Sequence, residues 1–323
     1  MEMSMSNPRE RNYPELFVRY ERNPILTADQ WPYQANAVFN AAATEFQGET
    51  LLLVRVEDMR GMSHLTVARS RNGFTDWRID PEPTLVPEVE RYPEELWGIE
   101  DPRIVYLEES GEYAVAYTAF SEGGPLVALA LTRDFRSFKR LGAVMPPEDK
   151  DASLFPRRFD GRWVMIHRPM PVSKTDGAHM WISYSPDMIH WGEHKILFKA
   201  RRGGWWDARK IGLSTQPIET DEGWLIIYHG VRETAAGNLY RIGLALLDLE
   251  DPSKVIYRSN QWVFGPREPY ERTGDVADVT FPCGAIYDKN QDLLRMYYGA
   301  ADTCMAVATA KMSDLLEFLK RGG

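Results

Sequence analysis

The stretch Gly161-Arg-Trp-Val-Met-Ile-His167 shows the unit that decides the fold of this 323-residue chain. A turn residue opens it, a short run of apolar residues follows, and a polar or aromatic residue ends it. Short apolar runs bounded by turn residues are typical of buried β-strands. Runs of the same kind recur at 48–55, 111–117, 223–228 and 292–298. The chain therefore contains five related β-units.

Each of the five runs is one strand of a larger repeat. Another apolar strand precedes it, and these first strands lie at 40–44, 103–107, 152–155, 213–216 and 283–286. A third strand follows it, at 65–69, 127–131, 180–184, 242–246 and 305–309. In four units a fourth strand comes next, at 84–87, 142–145, 195–198 and 261–264. A repeat of roughly 50 to 70 residues with this content is typical of a β-propeller blade, whereas helical solenoids have shorter repeats with helical periodicity. We predict an all-β fold, a five-bladed β-propeller.

The two ends of the chain differ from the repeats. The fifth unit lacks a fourth strand after it, and residues 311–320 instead have the pattern of a short amphipathic C-terminal helix. The N-terminal stretch Asn23-Pro-Ile-Leu-Thr27 resembles the fourth strands of the other units. We expect it to complete the fifth blade and close the ring, because closure removes an open sheet edge. The prediction is a single domain over residues 1–323 without a linker.

Composition and charge exclude several classes of protein. With 44% hydrophobic and 26% charged residues, the chain has the balance of an ordinary soluble globular protein. A formal net charge of −9 argues against a general nucleic-acid binder, although a local basic pocket could still hold a small anion. No stretch approaches about 18 apolar residues and the N-terminus has no apolar leader segment, so we expect no membrane span and no export, but a cytoplasmic protein.

Metals and disulfides are not expected either. Cys283 and Cys304 are the only two cysteines, too few for a disulfide scaffold. The six histidines show no spacing typical of metal ligands. We therefore predict neither a metal site nor an organic cofactor.

Two carboxylates and an arginine stand on the turn Trp97-Gly-Ile-Glu-Asp-Pro-Arg103, immediately before an apolar strand. Pro102 favours an extended conformation for the residue before it, so Asp101 should be held at the start of that strand. Loops at one end of a propeller converge on a shared pocket, which makes this a suitable place for a catalytic acid. The alternative is that Asp101 only accepts hydrogen bonds from its own turn. Glu100 should point to the opposite face, where it would anchor the turn or a neighbouring arginine.

Other strand ends bring basic and aromatic residues toward the same pocket. His167-Arg168 and Tyr228-His229 end the second strands of the third and fourth units. The stretch Trp205-Trp-Asp-Ala-Arg-Lys210 sets basic residues beside paired aromatics, which suits stacking against a sugar ring while an anion is held. The structural alternative is that such residues merely ring a solvated channel. Their recurrence at equivalent positions of different units favours a functional site.

Six motifs carry a resemblance to a known family. In chain order they are Gly98-Ile-Glu-Asp-Pro-Arg103, Lys150-Asp-Ala-Ser-Leu-Phe-Pro156, Ile166-His-Arg-Pro169, Tyr228-His-Gly230, Phe281-Pro-Cys-Gly284 and Tyr297-Tyr-Gly-Ala-Ala-Asp302. Together, and from about residue 23 to about residue 309, the chain resembles the β-mannoside phosphorylases of glycoside hydrolase family 130. The resemblance implies a five-bladed propeller, in agreement with the repeat count. It also implies an inverting phosphorolysis, in which phosphate attacks a terminal β-mannoside and releases α-mannose 1-phosphate and a shortened acceptor.

The resemblance assigns roles to individual residues. It makes Asp101 the general acid, which protonates the glycosidic oxygen through a sugar hydroxyl. It implies a mannosyl site at Asn40, Arg55, Arg60 and Asp302, and a phosphate site at Arg158, Arg168, Lys210, His229 and Tyr240. Strand-end position adds Tyr117, Lys150, Asp151 and His167 as substrate-binding candidates and Tyr228 as a phosphate-binding candidate. The expected partners are an oligosaccharide and inorganic phosphate as co-substrate, and a homo-oligomer is plausible from the family.

Two other functions remain open at this point. An inverting β-mannosidase on the same fold would need a second carboxylate to activate water, whereas a phosphorylase needs cations that bind and orient its anionic nucleophile. The basic residues favour phosphorolysis. A non-catalytic sugar-binding propeller would have no need for several cations near a rigid acid. These motifs do not determine the linkage, β-1,2 or β-1,4, or the acceptor, which could be mannose, glucose, N-acetylglucosamine or a longer oligomannoside. The candidate substrates are therefore mannobiose, manno-oligosaccharides, mannosyl-glucose and mannosyl-N-acetylglucosamine.

Overall fold

The computed structural model describes residues 15–171, 177–235 and 237–323, which form five antiparallel sheets in chain order around a central axis. A two-residue strand, β1 (Val18–Arg19), comes first. Blade 1 then consists of β2 (Ala37–Phe46), β3 (Glu49–Glu57), β4 (Ser63–Ser70) and β5 (Arg78–Ile79). Blade 2 consists of β6 (Ile99–Leu107), β7 (Glu112–Ser121), β8 (Gly124–Thr132) and β9 (Lys139–Ala143).

The remaining blades follow the same order, with two variations. Blade 3 consists of β10 (Asp149–Leu154), β11 (Trp163–Pro169), β12 (Met180–Ser185) and β13 (Gly192–Phe198). Blade 4 has a first strand in two pieces, β14 (Lys210–Leu213) and β15 (Ile218–Thr220), before β16 (Gly223–Thr234), β17 (Gly237–Leu247) and β18 (Val255–Arg258). Blade 5 consists of β19 (Thr280–Asp288), β20 (Leu293–Ala300), β21 (Cys304–Lys311) and, from the N-terminus, β1. The prediction of an all-β, five-bladed β-propeller is confirmed.

The N-terminal closure is more extensive than predicted. Leu26, within the predicted stretch, forms a bridge with Met305, and a regular ladder forms earlier in the chain where Val18 pairs with Thr309. The predicted fourth strands at 84–87 and 261–264 likewise make one bridge each, after the regular strands β5 and β18. The predicted C-terminal helix is confirmed as α2 (Met312–Lys320), and a single turn, α1 (Pro269–Arg272), was not predicted.

Each of the five interfaces between neighbouring blades has its own apolar core. Between blades 1 and 2, Leu53 packs with Val115, both fully buried. Between blades 3 and 4, Phe155 and Trp224 meet edge to face with ring centroids 5.1 Å apart. Because the apolar side chains fill the spaces between blades, the strand ends at the axis are left for polar residues.

The first strands of blades 1, 2 and 3 are bulged near their starts. The bulges contain Asn40, Asp101 and Asp151, whose φ angles are +49°, +47° and +55°. Asn and Asp tolerate this left-handed conformation better than most residues, since their short polar side chains can bond locally. A bulge re-aims the side chain that it carries. Three equivalent bulges therefore direct three polar side chains toward one end of the axis.

Candidate active site

A hydrogen-bonded cluster around Asp101 joins blades 1 and 2. The Asn40 amide donates to Asp101 Oδ1 at 2.9 Å, and Arg55 Nη1 donates to the same oxygen at 3.0 Å. Blade 5 comes close to this cluster at Gly299, where a Cβ atom would lie 2.1 Å from Asn40 Oδ1. Any larger residue at this position would push the amide away from Asp101. The buried carboxyl is thus held by two donors in a fixed orientation.

Arg55 is itself fixed by several partners. Its Nη2 donates to Glu100 Oε1 at 3.1 Å and its Nε to Ser63 Oγ at 2.9 Å. The guanidinium also lies 4.6 Å from the centroid of the Phe39 ring. Burial lowers the pKa of Arg55, but the charges of Glu100 and Asp101 outweigh it and raise the pKa, so the cation is permanent. The prediction that Glu100 anchors a neighbouring arginine is confirmed, but the prediction that Glu100 faces away from Asp101 is wrong, because both carboxylates bind the guanidinium of Arg55.

Two carboxyl groups at this end of the axis have opposite pKa shifts. Burial acts to raise the pKa of Asp101, but the charges of Arg55, Lys150 and Arg103 prevail and lower it. For Asp302, burial and the negative charge of Asp101 raise the pKa to about 6. Asp101 is therefore a carboxylate in the free protein, while Asp302 takes up a proton under mildly acidic conditions.

A second cluster, rich in cations, is built around Asp151. Arg168 donates to Asp151 Oδ2 through Nε at 2.8 Å and Nη2 at 2.7 Å, and His229 Nε2 lies 3.3 Å from the same oxygen. The pKa of Asp151 lies well below its usual value, because Arg168 and His229 outweigh the effect of burial. Blade 4 approaches closely at Gly212, where a Cβ atom would lie 2.2 Å from Asp151 Oδ2.

The basic residues of this second cluster differ in charge. Burial and the neighbouring charge of Arg168 lower the pKa of Lys210 to about 8, so it is mostly protonated at neutral pH. Burial lowers the pKa of His229 to about 4, against the pull of Asp151, so its imidazole is neutral. Tyr240 lies beside Lys210, whose Nζ is 5.5 Å from the ring centroid, and burial raises the pKa of Tyr240 to about 12.

Lys150 connects the two clusters. It is the register partner of Arg168 across β10 and β11, and its charge lowers the pKa of both Asp101 and Asp151. No described residue accepts a hydrogen bond from its ammonium group or pairs with it. Among the described residues Lys150 is therefore a cation at the site that is not already committed to a carboxylate.

Arg103 is a site residue to which the motifs gave no role. Its side chain is fully buried, and its Nη1 donates to the Asp101 carbonyl at 2.9 Å. Its Nε and Nη2 donate to the carbonyls of Ser214 and Leu213 in blade 4, both at 2.9 Å. It therefore crosses the axis between blades that are not neighbours. Arg103 stands two residues after Asp101, and alternate residues of a strand point to the same side. This spacing could have predicted that Arg103 lies at the site.

Three predicted site residues face an interface between blades instead. The Tyr117 hydroxyl donates to Glu95 Oε1 at 2.8 Å between blades 1 and 2, and the Tyr228 hydroxyl donates to Asp207 Oδ2 at 3.2 Å between blades 3 and 4. His167 bonds Asp149 through Nδ1 at 2.6 Å and lines a cavity of about 1080 Å³. Successive residues of a strand point to opposite faces, so the position next to a site residue points away from it. Arg168 and His229 occupy the site, and their neighbours do not.

Two predicted arginines lie outside both clusters. Arg60 lies on the exposed loop between β3 and β4, with 76% of its side chain exposed and Nη2 2.7 Å from Asp58 Oδ2. Arg158 lies on the loop after β10, where it donates through Nε to Glu109 Oε2 at 2.9 Å. Since β10 starts at the site and runs away from it, this loop is at the opposite end of the propeller. Arg158 therefore cannot contact a ligand at Asp101.

Comparison with known proteins identifies the family. Residues 14–321 match the family model described as beta-1,4-mannooligosaccharide phosphorylase. The chain belongs to glycoside hydrolase family 130. Within family 130, it is 35% identical to the beta-1,4-mannooligosaccharide phosphorylase of Ruminococcus albus over 94% of this chain and 90% of that protein. It is also 36% identical to a 1,2-beta-oligomannan phosphorylase of Thermoanaerobacter over 92% of this chain and 98% of that protein.

Solved structures of family 130 have the same fold. The beta-1,2-mannobiose phosphorylase of Listeria innocua, in complex with beta-1,2-mannobiose, superposes with a TM-score of 0.85 at 31% identity, over 94% of this chain and 99% of that chain. Another structure has a TM-score of 0.79 at 25% identity, over 93% of this chain and 94% of that chain. It comes from work on family members that are glycoside hydrolases and target beta-1,2 mannosidic linkages in Candida mannan. The family therefore includes both chemistries that the motifs left open.

Across the described part of the chain, no helix is long and apolar enough to cross a membrane. Within the same residues, no group of three or more His, Cys, Asp or Glu side chains is placed to hold a metal ion. Both cysteines are buried and unpaired with each other.

Proposed function

We propose that the protein catalyses the reversible, inverting phosphorolysis of terminal β-mannosides. Inorganic phosphate forms a bond to the anomeric carbon, the bond from that carbon to the glycosidic oxygen breaks, and the oxygen takes up a proton. The products are α-mannose 1-phosphate and a saccharide shortened by one mannose. The sequence comparisons support the proposal, because the family model is described as a phosphorylase and the relatives from Ruminococcus albus and Thermoanaerobacter are named as phosphorylases.

The observation that carries the proposal is the cationic side of the site. Three cations lie close together and interact electrostatically with Asp151, namely Lys150, Arg168 and Lys210. Such a cluster can bind and orient an anionic nucleophile. An inverting hydrolase would instead need a second carboxylate free to activate water. Asp151 does not suit that role, because Arg168 and His229 hold it and keep its pKa well below the usual range.

Asp101 is the proposed general acid, and by family resemblance its proton passes through a sugar hydroxyl to the glycosidic oxygen. In the free protein the neighbouring cations lower the pKa of Asp101, so the proton has to be gained during substrate binding. A bound phosphate anion would offset the charge of Lys150, one of the cations that lower this pKa, and so raise it. Asp302 is the neighbouring carboxyl, and its pKa of about 6 means that it carries a proton under mildly acidic conditions.

A product assay tests the proposal directly. The protein is incubated with β-1,2-mannobiose and with β-1,4-mannobiose, each with and without inorganic phosphate, and α-mannose 1-phosphate and free mannose are measured separately. We expect α-mannose 1-phosphate, formed only with phosphate, and the productive disaccharide identifies the linkage. Free mannose formed without phosphate would instead identify a β-mannosidase and overturn the proposal. The cytoplasmic location, the single-domain organisation and the homo-oligomer stay predictions from the sequence.

Asp101→Asn tests the acid. Loss of the proton should lower kcat by about 10²–10⁴-fold, the usual contribution of a general acid. The fold should persist, because Arg55 keeps its contacts with Glu100 and Ser63. The measurements are the rate of phosphorolysis and the thermal unfolding curve. Asp221→Asn is the control, since Asp221 is exposed on the turn between β15 and β16, at the end of blade 4 away from the site, and should affect the rate little. A fully active Asp101→Asn would contradict the role of Asp101.

A further inference from the structure

A groove lined by three tryptophans lies on blade 4, behind the strands that border the active site. Near the turn that joins β16 to β17, Val231 is paired with Tyr240, and Tyr240 faces the site. Arg232 is paired with Leu239 on the other face of the same hairpin, and both line the groove. The hairpin therefore separates the groove from the cluster around Asp151.

The three indole rings in the groove are each supported on one side. Trp206 packs flat over the sheet, where Cβ atoms at Gly230 and Gly243 would lie 2.5 and 2.4 Å from its ring. Its Nε1 donates to the Asn260 carbonyl at 2.9 Å. The guanidinium of Arg201 lies 4.5 Å from the Trp205 centroid, and that of Arg241 lies 5.0 Å from the Trp262 centroid. The rings are thus held in place before any ligand arrives.

Polar side chains without partners border these rings. Neither the Arg232 guanidinium nor the Gln261 amide hydrogen-bonds to or pairs with any described residue, and Trp205 has 44% of its surface exposed. The groove encloses about 560 Å³, within the range of ligand sites. Aromatic faces beside free donors and acceptors match a pyranose chain, because its C–H faces stack on rings while its hydroxyls hydrogen-bond.

We propose that this groove is a second saccharide-binding site, outside the catalytic pocket, that holds a β-mannan chain of several sugars. The choice of β-mannan rests on the proposed function, whereas the choice of a saccharide rests on the chemistry of the groove. Because three indoles line the groove, a chain of several sugars can contact more of them than a disaccharide can. A site of this kind would keep a long substrate at the enzyme while chain ends enter the pocket.

Affinity electrophoresis tests the groove separately from the pocket. Native gels contain soluble glucomannan, a β-1,4 polymer with few chain ends, so binding of ends in the catalytic pocket contributes little to retardation. We expect retardation of the parent protein and at least a five-fold higher Kd for Trp205→Ala and for Arg232→Ala. Tyr257→Ala is the control and should be retarded like the parent, because Tyr257 is an exposed aromatic of the same blade outside the groove. Titration with β-1,2-mannohexaose in the absence of phosphate extends the test to the other linkage.

The outcomes distinguish this proposal from the proposed function. Equal binding by the parent and Trp205→Ala, or no binding of either saccharide, overturns the second site even if phosphorolysis is observed. Retardation that depends on Trp205, without any phosphorolysis of β-mannosides, supports the groove and overturns the proposed function. Sedimentation velocity gives a further check: if Trp205→Ala changes the mass of the protein and saccharide binding is absent, the groove is an interface between copies and the proposal is wrong.

Discussion

Lys210 has a side chain whose charge at the site depends on pH within the usual assay range. Its pKa of about 8 results from burial and from the repulsion of Arg168. His229, with a pKa of about 4, is neutral over the same range. The positive charge offered to an anion at neutral pH therefore comes from Lys150, Arg168 and Lys210, and the charge of Lys210 is lost as the pH rises through about 8.

Lys210→Arg should remove the alkaline weakening of phosphate binding. In the parent, kcat/KM for phosphate should fall as the pH rises through about 8, because the free protein loses the Lys210 charge. Arginine stays charged, so the variant should keep its kcat/KM to higher pH. The measurement is the pH profile of kcat/KM for phosphate, with Lys195→Arg on the exposed part of β13 as control. An unchanged profile would show that Lys210 does not contact phosphate.

Asp302→Asn should make the folded protein more stable at neutral pH. The carboxyl has a pKa of about 6 in the folded state against 3.8 for an unperturbed group. Its ionisation therefore costs stability, and this cost appears as the pH rises through that interval. We expect the variant to gain roughly 2–3 kcal/mol in the free energy of unfolding above about pH 7, and less as the pH falls. Denaturant unfolding at several pH values measures the difference, and Asp221→Asn, at an exposed carboxylate, should show none.

The site residues show where sequence reasoning succeeded and where it failed. Asp101 and Asn40 meet because both lie at bulges. The Asp-Pro pair correctly placed Asp101 at the start of its strand, but the extended conformation predicted from Pro102 was wrong, because the φ angle of Asp101 is +47°. Tyr117 and Tyr228 were misplaced because a strand end does not reveal which of two successive side chains faces the axis. Arg158 was misplaced because the end of the propeller to which a loop belongs depends on strand direction. No linear pattern shows the contacts of Arg103 with blade 4.

At the level of elements, α1 fixes the N-terminal strand that closes the ring. β1 has only two residues, yet Arg19 donates from Nε to Glu271 Oε1 at 2.7 Å and from Nη2 to the Gly265 carbonyl at 2.6 Å. Glu271, at the end of α1, is fully buried and also accepts a hydrogen bond from Tyr298 at 2.7 Å. The buried ion pair thus adds to the two backbone pairs of β1.

Glu271→Ala should weaken this closure strongly. The change leaves Arg19 and the Tyr298 hydroxyl without their buried partner, and breaking such a pair from one side typically costs about 3–5 kcal/mol. Denaturant unfolding measures the loss. Glu317→Ala removes the partner of Arg321 at an exposed pair, 58% and 76% exposed, and should change the free energy of unfolding by less than about 1 kcal/mol. Similar losses in the free energy of unfolding in both variants would mean that the buried Arg19–Glu271 ion pair stabilises the protein no more than an exposed ion pair does.

At the level of the whole molecule, deletion of residues 1–27 should open the ring. The deletion removes β1 and the bridge at Leu26, so the backbone groups of β21 are left as a free sheet edge. We expect a lower midpoint of thermal unfolding and association into larger species, measured by calorimetry and size-exclusion chromatography. Deletion of residues 1–14 is the control, because it retains β1; a stable monomeric 28–323 fragment would contradict the role of the closure.

The number and order of the blades could be predicted because each blade repeats the same apolar pattern. The fourth strands were placed less well, since an outer strand such as β5 has two paired residues and its pattern is too short to recognise. The ladder at Val18 was missed for the same reason. The residues that pair with the outer edge of a blade depend on which segment of the chain lies beside that edge in space. A repeat pattern in the sequence does not show which segment this is.

Arg103 has a consequence for the order in which ligands come and go. Its buried guanidinium reaches from blade 2 to the carbonyls of Leu213 and Ser214, and so it lies across the axis just below Asp101. The pocket at Asp101 is therefore closed at its inner end, and a ligand has to leave by the opening through which it entered. Two ligands that share such a pocket cannot pass each other. The one that binds deeper arrives first and departs last, so the steady-state kinetics should be ordered, not random.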